Sequence, residues 1–316
     1  MRGRGVVRGN HQDPAHRPAR LEPHEIYPAS DPEIGVRSLR LRSGLRVRAV
    51  ETGPPSGDAV LLLPGWGSSV YEYRKNLPAL AGAGYRAITV DLKGHGLSDK
   101  PSDPRQYSLD AMVDHVLEVM DALELRRAHL IGHSLGGAIA AELALRATTR
   151  VRSLALIAPV GYHRIWAATL ATWLSPAVLS PLLDRPTPQW MVRAAVRLAR
   201  GPRSRPSPRD IEEYWATACT PGFLLAMRHL VHGIDWSPAR DGRLCRLAVP
   251  LLVIFGRQDR VISPRALNRY RRDVPTVQTV LLEMTGHLAN EEAPEEVNQA
   301  LIGFLARSDR PDNVLD

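Results

Sequence analysis

Cysteine is nearly absent from this chain: 316 residues contain only Cys219 and Cys245. That excludes a disulfide scaffold and a cysteine-rich zinc site, and both side chains are expected to be buried and apolar. Aromatic residues are few, at 5%. Nothing resembles an aromatic-studded RNA-binding sheet or a helix-turn-helix, so no nucleic-acid partner is expected. A long membrane-spanning run is also missing. Ile165–Leu183 carries no charge, but Pro176, Pro181 and the hydroxyl residues Thr169, Thr172, Ser175 and Ser180 interrupt it. A span needs about twenty mostly apolar residues, so this run reads as a buried or lipid-touching lid. The start, Met1–Asn10, lacks the apolar centre of a secretory signal, and the expected location is the cytoplasm.

What is present suits a globular protein. Hydrophobic residues make up 44% and charged residues 23%, enough to bury a core and too apolar for wholesale disorder. The length fits two domains, or one large α/β domain with an insertion. The net charge is +8, and much of it sits at the start, where Arg2, Arg4, Arg8, Arg17 and Arg20 face one acid, Asp13. Residues 1–33 show no apolar period and are expected to form a flexible basic arm.

From Gly35 the pattern changes. Two strands are expected around Val36–Leu41 and Leu45–Ala49, turning at Ser43-Gly44. Ala59–Leu63 is a short apolar run of the kind found in strands buried on both faces. Tyr85–Val90, Ala128–Ile131 and Val151–Ile157 repeat the strand signal. Between them, Ser108–Leu123 has apolar residues at helical spacing with Ser108 as N-cap, and Leu135–Leu145 is a small-residue helix. Strands alternating with helices imply a parallel sheet. The rhythm breaks between Pro159 and about Val249. That segment is helical in pattern, holds Trp166, Trp173, Trp190, Trp215 and Trp236, and includes a basic, proline-rich linker at Ala199–Asp210. Strands at Leu251–Phe255 and Val277–Leu282, with helices at Pro264–Arg271 and Ala293–Ala306, then restore it. The expected division is a core at 34–159 and 250–316, with a helical cap at 160–249.

The strongest chemical signal is Gly132-His133-Ser134-Leu135-Gly136, a G-x-S-x-G pattern where a strand runs directly into a helix. The sharp turn lifts the serine above the sheet, and the helix N-terminus favours developing negative charge. A serine hydroxyl needs a base to take its proton, and a histidine base needs a carboxylate to orient it. Asp259 and His287 each lie in a loop just past the C-terminal end of a strand, the edge where ligand sites form in parallel sheets. No carboxylate follows the Val151–Ile157 strand before Asp184 that could replace Asp259. A tetrahedral intermediate also needs two N–H donors. The amide of Leu135 is one candidate. The amide of Trp66, in the Pro64-Gly65-Trp66-Gly67 loop, is the other.

These segments, with Asp91-Leu92-Lys93-Gly94-His95-Gly96-Leu97-Ser98, Gly256-Arg257-Gln258-Asp259 and Gly286-His287, resemble the α/β-hydrolase superfamily, in the branch with an inserted helical cap. The resemblance runs from about residue 36 to 306. It implies an α/β-hydrolase fold, a mostly parallel central sheet flanked by helices, and a Ser134–Asp259–His287 triad. Two positions matter for comparison. The family usually carries His-Gly where this chain has Pro64-Gly65, so the contacts that hold the oxyanion loop differ here. The nucleophile position holds Ser rather than the Asp of relatives that open epoxides or displace halide. His95 matches a position that is usually structural.

The resulting expectation is a serine hydrolase acting on a small-molecule carboxylic ester, with no metal or organic cofactor. Trp66, Trp166 and Trp173 are candidate substrate contacts. A lipase or lysophospholipase, lactonase, thioesterase, peptidase, perhydrolase or C–C bond hydrolase would use the same residues. A ligand-binding receptor on the same fold is the alternative from another class.

Overall fold

A computed structural model of the chain describes residues 21–29, 31–162 and 186–309. Eight strands form one sheet: β1 (Gly35–Arg40), β2 (Arg46–Thr52), β3 (Ala59–Leu63), β4 (Arg86–Val90), β5 (Ala128–His133), β6 (Val151–Ile157), β7 (Leu251–Gly256) and β8 (Gln278–Leu282). Their spatial order is β1-β2-β4-β3-β5-β6-β7-β8. β1 and β2 pair antiparallel, as do β2 and β4, and every later pairing is parallel. This is an α/β-hydrolase fold.

The helices among the described residues are α1 (Leu77–Gly82), α2 (Leu109–Ala122), α3 (Leu135–Arg146), α4 (Gln189–Ala199), α5 (Pro208–Ala218), α6 (Phe223–Gly233), α7 (Ala266–Asp273), α8 (Ala289–Glu292) and α9 (Pro294–Ser308). The apolar stripe of α2, from Met112 and Val113 to Val119 and Met120, packs with α3 in the core on one sheet face. Leu77 and Leu80 of α1 and Val297, Leu301 and Phe304 of α9 fill the other. With both faces covered, every residue of β5 and β7 is buried, which explains why β7 reads as an unbroken apolar run. Ser108 caps α2 by accepting the Ala111 N–H at 3.2 Å. Cys219 is buried but Cys245 is exposed, contrary to expectation. It lies in a single 3₁₀ turn whose inward position is taken by Leu244.

The segment between β6 and β7 supplies α4, α5 and α6. A buried charge cluster joins it to the sheet domain. Arg74, after a short turn at 70–73, bonds Asp210 of α5 at 2.6 Å and Glu291 of α8 at 3.1 Å. Arg200 bonds Glu291 at 2.5 Å, and the Tyr214 hydroxyl donates to the same carboxylate. Among the described residues no helix is long and apolar enough to cross a membrane.

The expected free arm is corrected over its described end. Ile26 is buried, and the ring of Tyr27 meets Tyr71 edge-on at 5.8 Å. The Tyr27 N–H donates to Glu213 at 2.9 Å, and Arg209 donates to the Glu25 carbonyl at 2.5 Å. Residues 25–27 thus bridge α5 and the 70–73 turn. Residues 25–27 show no apolar period because they dock through single side chains and backbone groups. Replacement of Ile26 by Ala should cost about 2–4 kcal/mol, the usual range for deleting a packed Ile side chain. Urea unfolding measures it, and an unchanged midpoint would mean that this segment does not dock.

Candidate active site

The C-terminal ends of β3, β5, β7 and β8 lie along one edge of the sheet. Leu63 pairs with Gly132, and Gly256 pairs with Leu282. The loops that follow carry Trp66, Ser134, Asp259 and His287. Ser134 itself has φ 51 and ψ −114, a conformation that costs a non-glycine residue about 1–3 kcal/mol. Its surroundings impose it. The Ser134 N–H donates to the Ile157 carbonyl and its carbonyl accepts from Val160, both at 3.0 Å. A Cβ at Gly136 would lie 2.1 Å from the Leu63 carbonyl oxygen. Only a glycine lets α3 start this close to β3.

Ser134, Asp259 and His287 are all buried, and the fold brings them together. His287 Nε2 lies 3.0 Å from Ser134 Oγ, and Nδ1 lies 2.8 Å from Asp259 Oδ2. The other Asp259 oxygen accepts the N–H groups of Val261 and Ile262 at 2.8 and 2.9 Å. That arrangement aims the carboxylate at Nδ1, which leaves Nε2 facing the serine hydroxyl. The His287 backbone N–H donates to the Ala199 carbonyl at 2.7 Å, so the histidine is also anchored from α4.

Leu135, the first residue of α3, is buried, and an N–H at this position has no partner within its own helix. The Gly65–Trp66 peptide lies across from it. A Cβ at Gly65 would sit 3.3 Å from Ser134 Cβ. Leu135 and the residue before Trp66 therefore stand beside the serine. The Trp66 side chain is exposed and meets Trp236 edge-on at 6.5 Å. Gly67, one residue on, faces Met227 of α6: a Cβ there would lie 3.8 Å from its sulfur. Trp166 and Trp173 lie outside the described residues. His95 is buried beside the Lys93 carbonyl, and burial lowers its pKa to about 4. It is a neutral strut of the Asp91–Ser98 turn, where Asp91 accepts the N–H groups of Val70 and Leu97.

Two residues of the site carried no role in the sequence reading. Glu72 and His133 form a buried pair, with Nδ1 2.9 Å from Oε1. The other Glu72 oxygen accepts the Gly65 N–H at 3.1 Å, while His133 Nε2 lies 3.0 Å from the His287 carbonyl oxygen. The pair therefore ties the loop after β3, the serine turn and the histidine loop into one unit. It does so in a chain that has Pro64 where the family usually has histidine. An acidic residue within an otherwise apolar buried turn, Val70–Tyr73, is the one local sign of it.

Comparison with known proteins supports the fold. Residues 58–294 match the alpha/beta hydrolase fold family. The chain belongs to that family. It is 32% identical over 266 residues to the dihydrolipoyllysine-residue acetyltransferase component of an acetoin cleaving system from Pseudomonas putida, covering 84% of this chain and 68% of that protein. It is 27% identical over 274 residues to Lipase 1 of Psychrobacter immobilis, covering 85% and 84%. Among solved structures, a meta-cleavage product hydrolase from Pseudomonas fluorescens superposes with a TM-score of 0.75 at 25% identity, covering 88% of this chain and all of that one. Family members thus act on varied substrates around a shared fold.

The Glu72–His133 pair makes a pH-dependent contribution. Burial disfavours both charges, but Glu72 holds the His133 pKa above its ordinary value and His133 holds Glu72 below its own. The histidine's contribution is complete below its unfolded value of about 6.5 and is lost as pH rises through its raised folded value. The glutamate's is lost only as pH falls below the ordinary carboxylate range. Wild-type stability should therefore decline from pH 6.5 toward alkaline pH. In Glu72→Gln, urea unfolding should show that decline flattened, with about 3–5 kcal/mol lost at pH 6 from leaving a buried charge unpaired. Parallel pH curves for the two proteins would contradict the pairing.

Proposed function

We propose that this protein is a serine hydrolase that cleaves carboxylic esters of small-to-medium apolar acids through an acyl-enzyme. The observation that carries this reading is the continuous relay from Ser134 Oγ through His287 to Asp259. Ser134 attacks the ester carbonyl carbon while His287 Nε2 takes its proton. The imidazolium that forms is stabilised by Asp259 and then protonates the leaving alcohol. The N–H groups of Leu135 and Trp66 hold the oxyanion, and the α3 dipole adds to them. Water activated by His287 attacks the acyl-enzyme and releases the acid. No cofactor enters this scheme, and a serine nucleophile disfavours epoxide opening.

Residues 160–249 serve in this reading as a cap over the serine. Support comes from α6, whose Met227 faces Gly67 and whose Ala226 lies 3.1 Å from where a Gly94 Cβ would stand. Apolar side chains here suit an apolar acyl group, with Trp66 at the entrance and Trp166 and Trp173 as further contacts. The kinship with a lipase favours the ester reading. The likeness to a meta-cleavage product hydrolase favours a second one, hydrolysis of a C–C bond beside a ketone by the same serine and histidine.

Ser134→Ala should reduce kcat/KM on p-nitrophenyl esters by about a thousandfold or more while the melting temperature holds. A fluorophosphonate probe should label the wild type at Ser134 and leave the variant unlabelled. Across the ester series, efficiency should climb from acetate to a medium chain, nearly fourfold per buried methylene, given about 0.8 kcal/mol each. Turnover of a dienoate ring-fission product with no ester turnover would replace the ester reading by the second. Absence of probe labelling would overturn both.

A further inference from the structure

The basic, proline-rich linker found in the sequence has no part in ester chemistry, yet it builds a defined hollow. A cavity of about 490 Å³ is lined by Arg197, Arg200, Gly201, Pro202, Ser204, Arg205, Pro206 and Arg260. That volume is ordinary for a small-molecule site. Four arginines line it and no acidic residue does. They come from three places: the last turn of α4, the linker, and the loop directly after Asp259.

Arg200 is already neutralised. It is buried and bonded to Glu291 at 2.5 Å and Asp210 at 3.4 Å, and its other arm donates to Ser204 Oγ at 3.1 Å. Arg197 and Arg205 are exposed and form no ion pair among the described residues. Glu292 stands behind the wall, where its two oxygens accept the N–H groups of Gly201 and Gly286 at 2.7 and 3.2 Å. It fixes the linker against the His287 loop without entering the cavity. The two guanidinium groups without an ion pair among the described residues, Arg197 and Arg205, share one hollow and repel each other unless an anion joins them. Each presents a fork of N–H donors matched to the oxygens of a phosphate. Ser204 Oγ accepts from Arg200 and so keeps its own O–H proton to donate. Pro202 and Pro206 hold the linker in shape, which lowers the entropy lost on binding.

We propose that this hollow is an anion site that binds a phosphate group, through Arg197 and Arg205 with the Ser204 hydroxyl. The group belongs either to a soluble phosphorylated molecule or to the headgroup of an acidic phospholipid. The site is separate from Ser134. Its floor at Gly201 packs on Gly286, and the adjoining Ala199 carbonyl accepts the His287 N–H, so an occupant would sit against the loop that carries the base. The proposal does not depend on the ester reading, and Ser134→Ala should bind phosphate as the wild type does.

The test is calorimetric titration of the full chain with inorganic phosphate at constant ionic strength, followed by flotation with phosphatidylcholine vesicles with and without phosphatidic acid. The expected result is saturable binding of one phosphate. Arg197→Ala/Arg205→Ala should weaken it about tenfold or more, since one charge-assisted bond exceeds the 1.4 kcal/mol that a factor of ten represents. Arg42→Ala/Arg46→Ala, which removes two exposed arginines elsewhere, should bind normally. Flotation that requires both phosphatidic acid and the two arginines would assign the headgroup, and phosphate binding without flotation would assign a soluble molecule. No saturable binding in either format, or equal weakening in the control variant, would overturn the proposal.

Discussion

The strained backbone at Ser134 is the constraint on which the rest of the site depends. A residue held at positive φ persists only where its neighbours leave no alternative. Here β5 is hydrogen-bonded between β3 and β6, so its end cannot move. α3 must start at once because Gly136 stands against the Leu63 carbonyl. The serine is thus forced up from the edge of the sheet, where the loops after β7 and β8 bring the carboxylate and the imidazole. Sheet register, helix onset and the placement of Ser134 are consequences of one packing arrangement.

Around that turn, charge is buried rather than left in solvent. Glu72 and His133 lock the loop after β3 to the serine turn, and Arg74, Arg200, Asp210 and Glu291 lock the helices after β6 to the sheet domain. Buried ion pairs add little net stability compared with apolar packing, but removing one partner is costly. Such pairs define geometry. In this chain they hold the loops that a substrate must approach, and the same Arg200 sets one wall of the basic cavity. The residues that position the base and those that line the cavity therefore share a support, the 199–201 segment with its contacts to Gly286 and His287.

Legibility in the sequence followed the range of each interaction. Buried strands were readable because five consecutive apolar residues fit few other structures: β3 starts and ends where its run does, and β7 runs one residue past the end of its own. The serine turn was readable because its glycines and its strand–helix context lie within six residues. Asp259 and His287 were readable as residues just past strand ends. The docking of residues 25–27 was not, since a single Ile side chain and one backbone N–H leave no periodic trace. Nor was the outward position of Cys245, which depends on how one short turn is set on the core.

The sequence by itself determined the alternation of strands and helices, the serine turn and the set of residues able to form a proton relay. These rest on local backbone sterics and on the apolar period of each element. Tertiary structure alone decided which partners meet. Glu72 faces His133 across 61 positions of chain, a separation read from their numbers, and Arg74 reaches Glu291 across 217. Neither contact has a local signature, because a charged side chain in a sequence looks the same whether it will face water or a buried partner. The basic linker became a cavity only when folding set Arg260 opposite Arg197 and Arg205, since the shape of a hollow belongs to packed surfaces and not to any one segment.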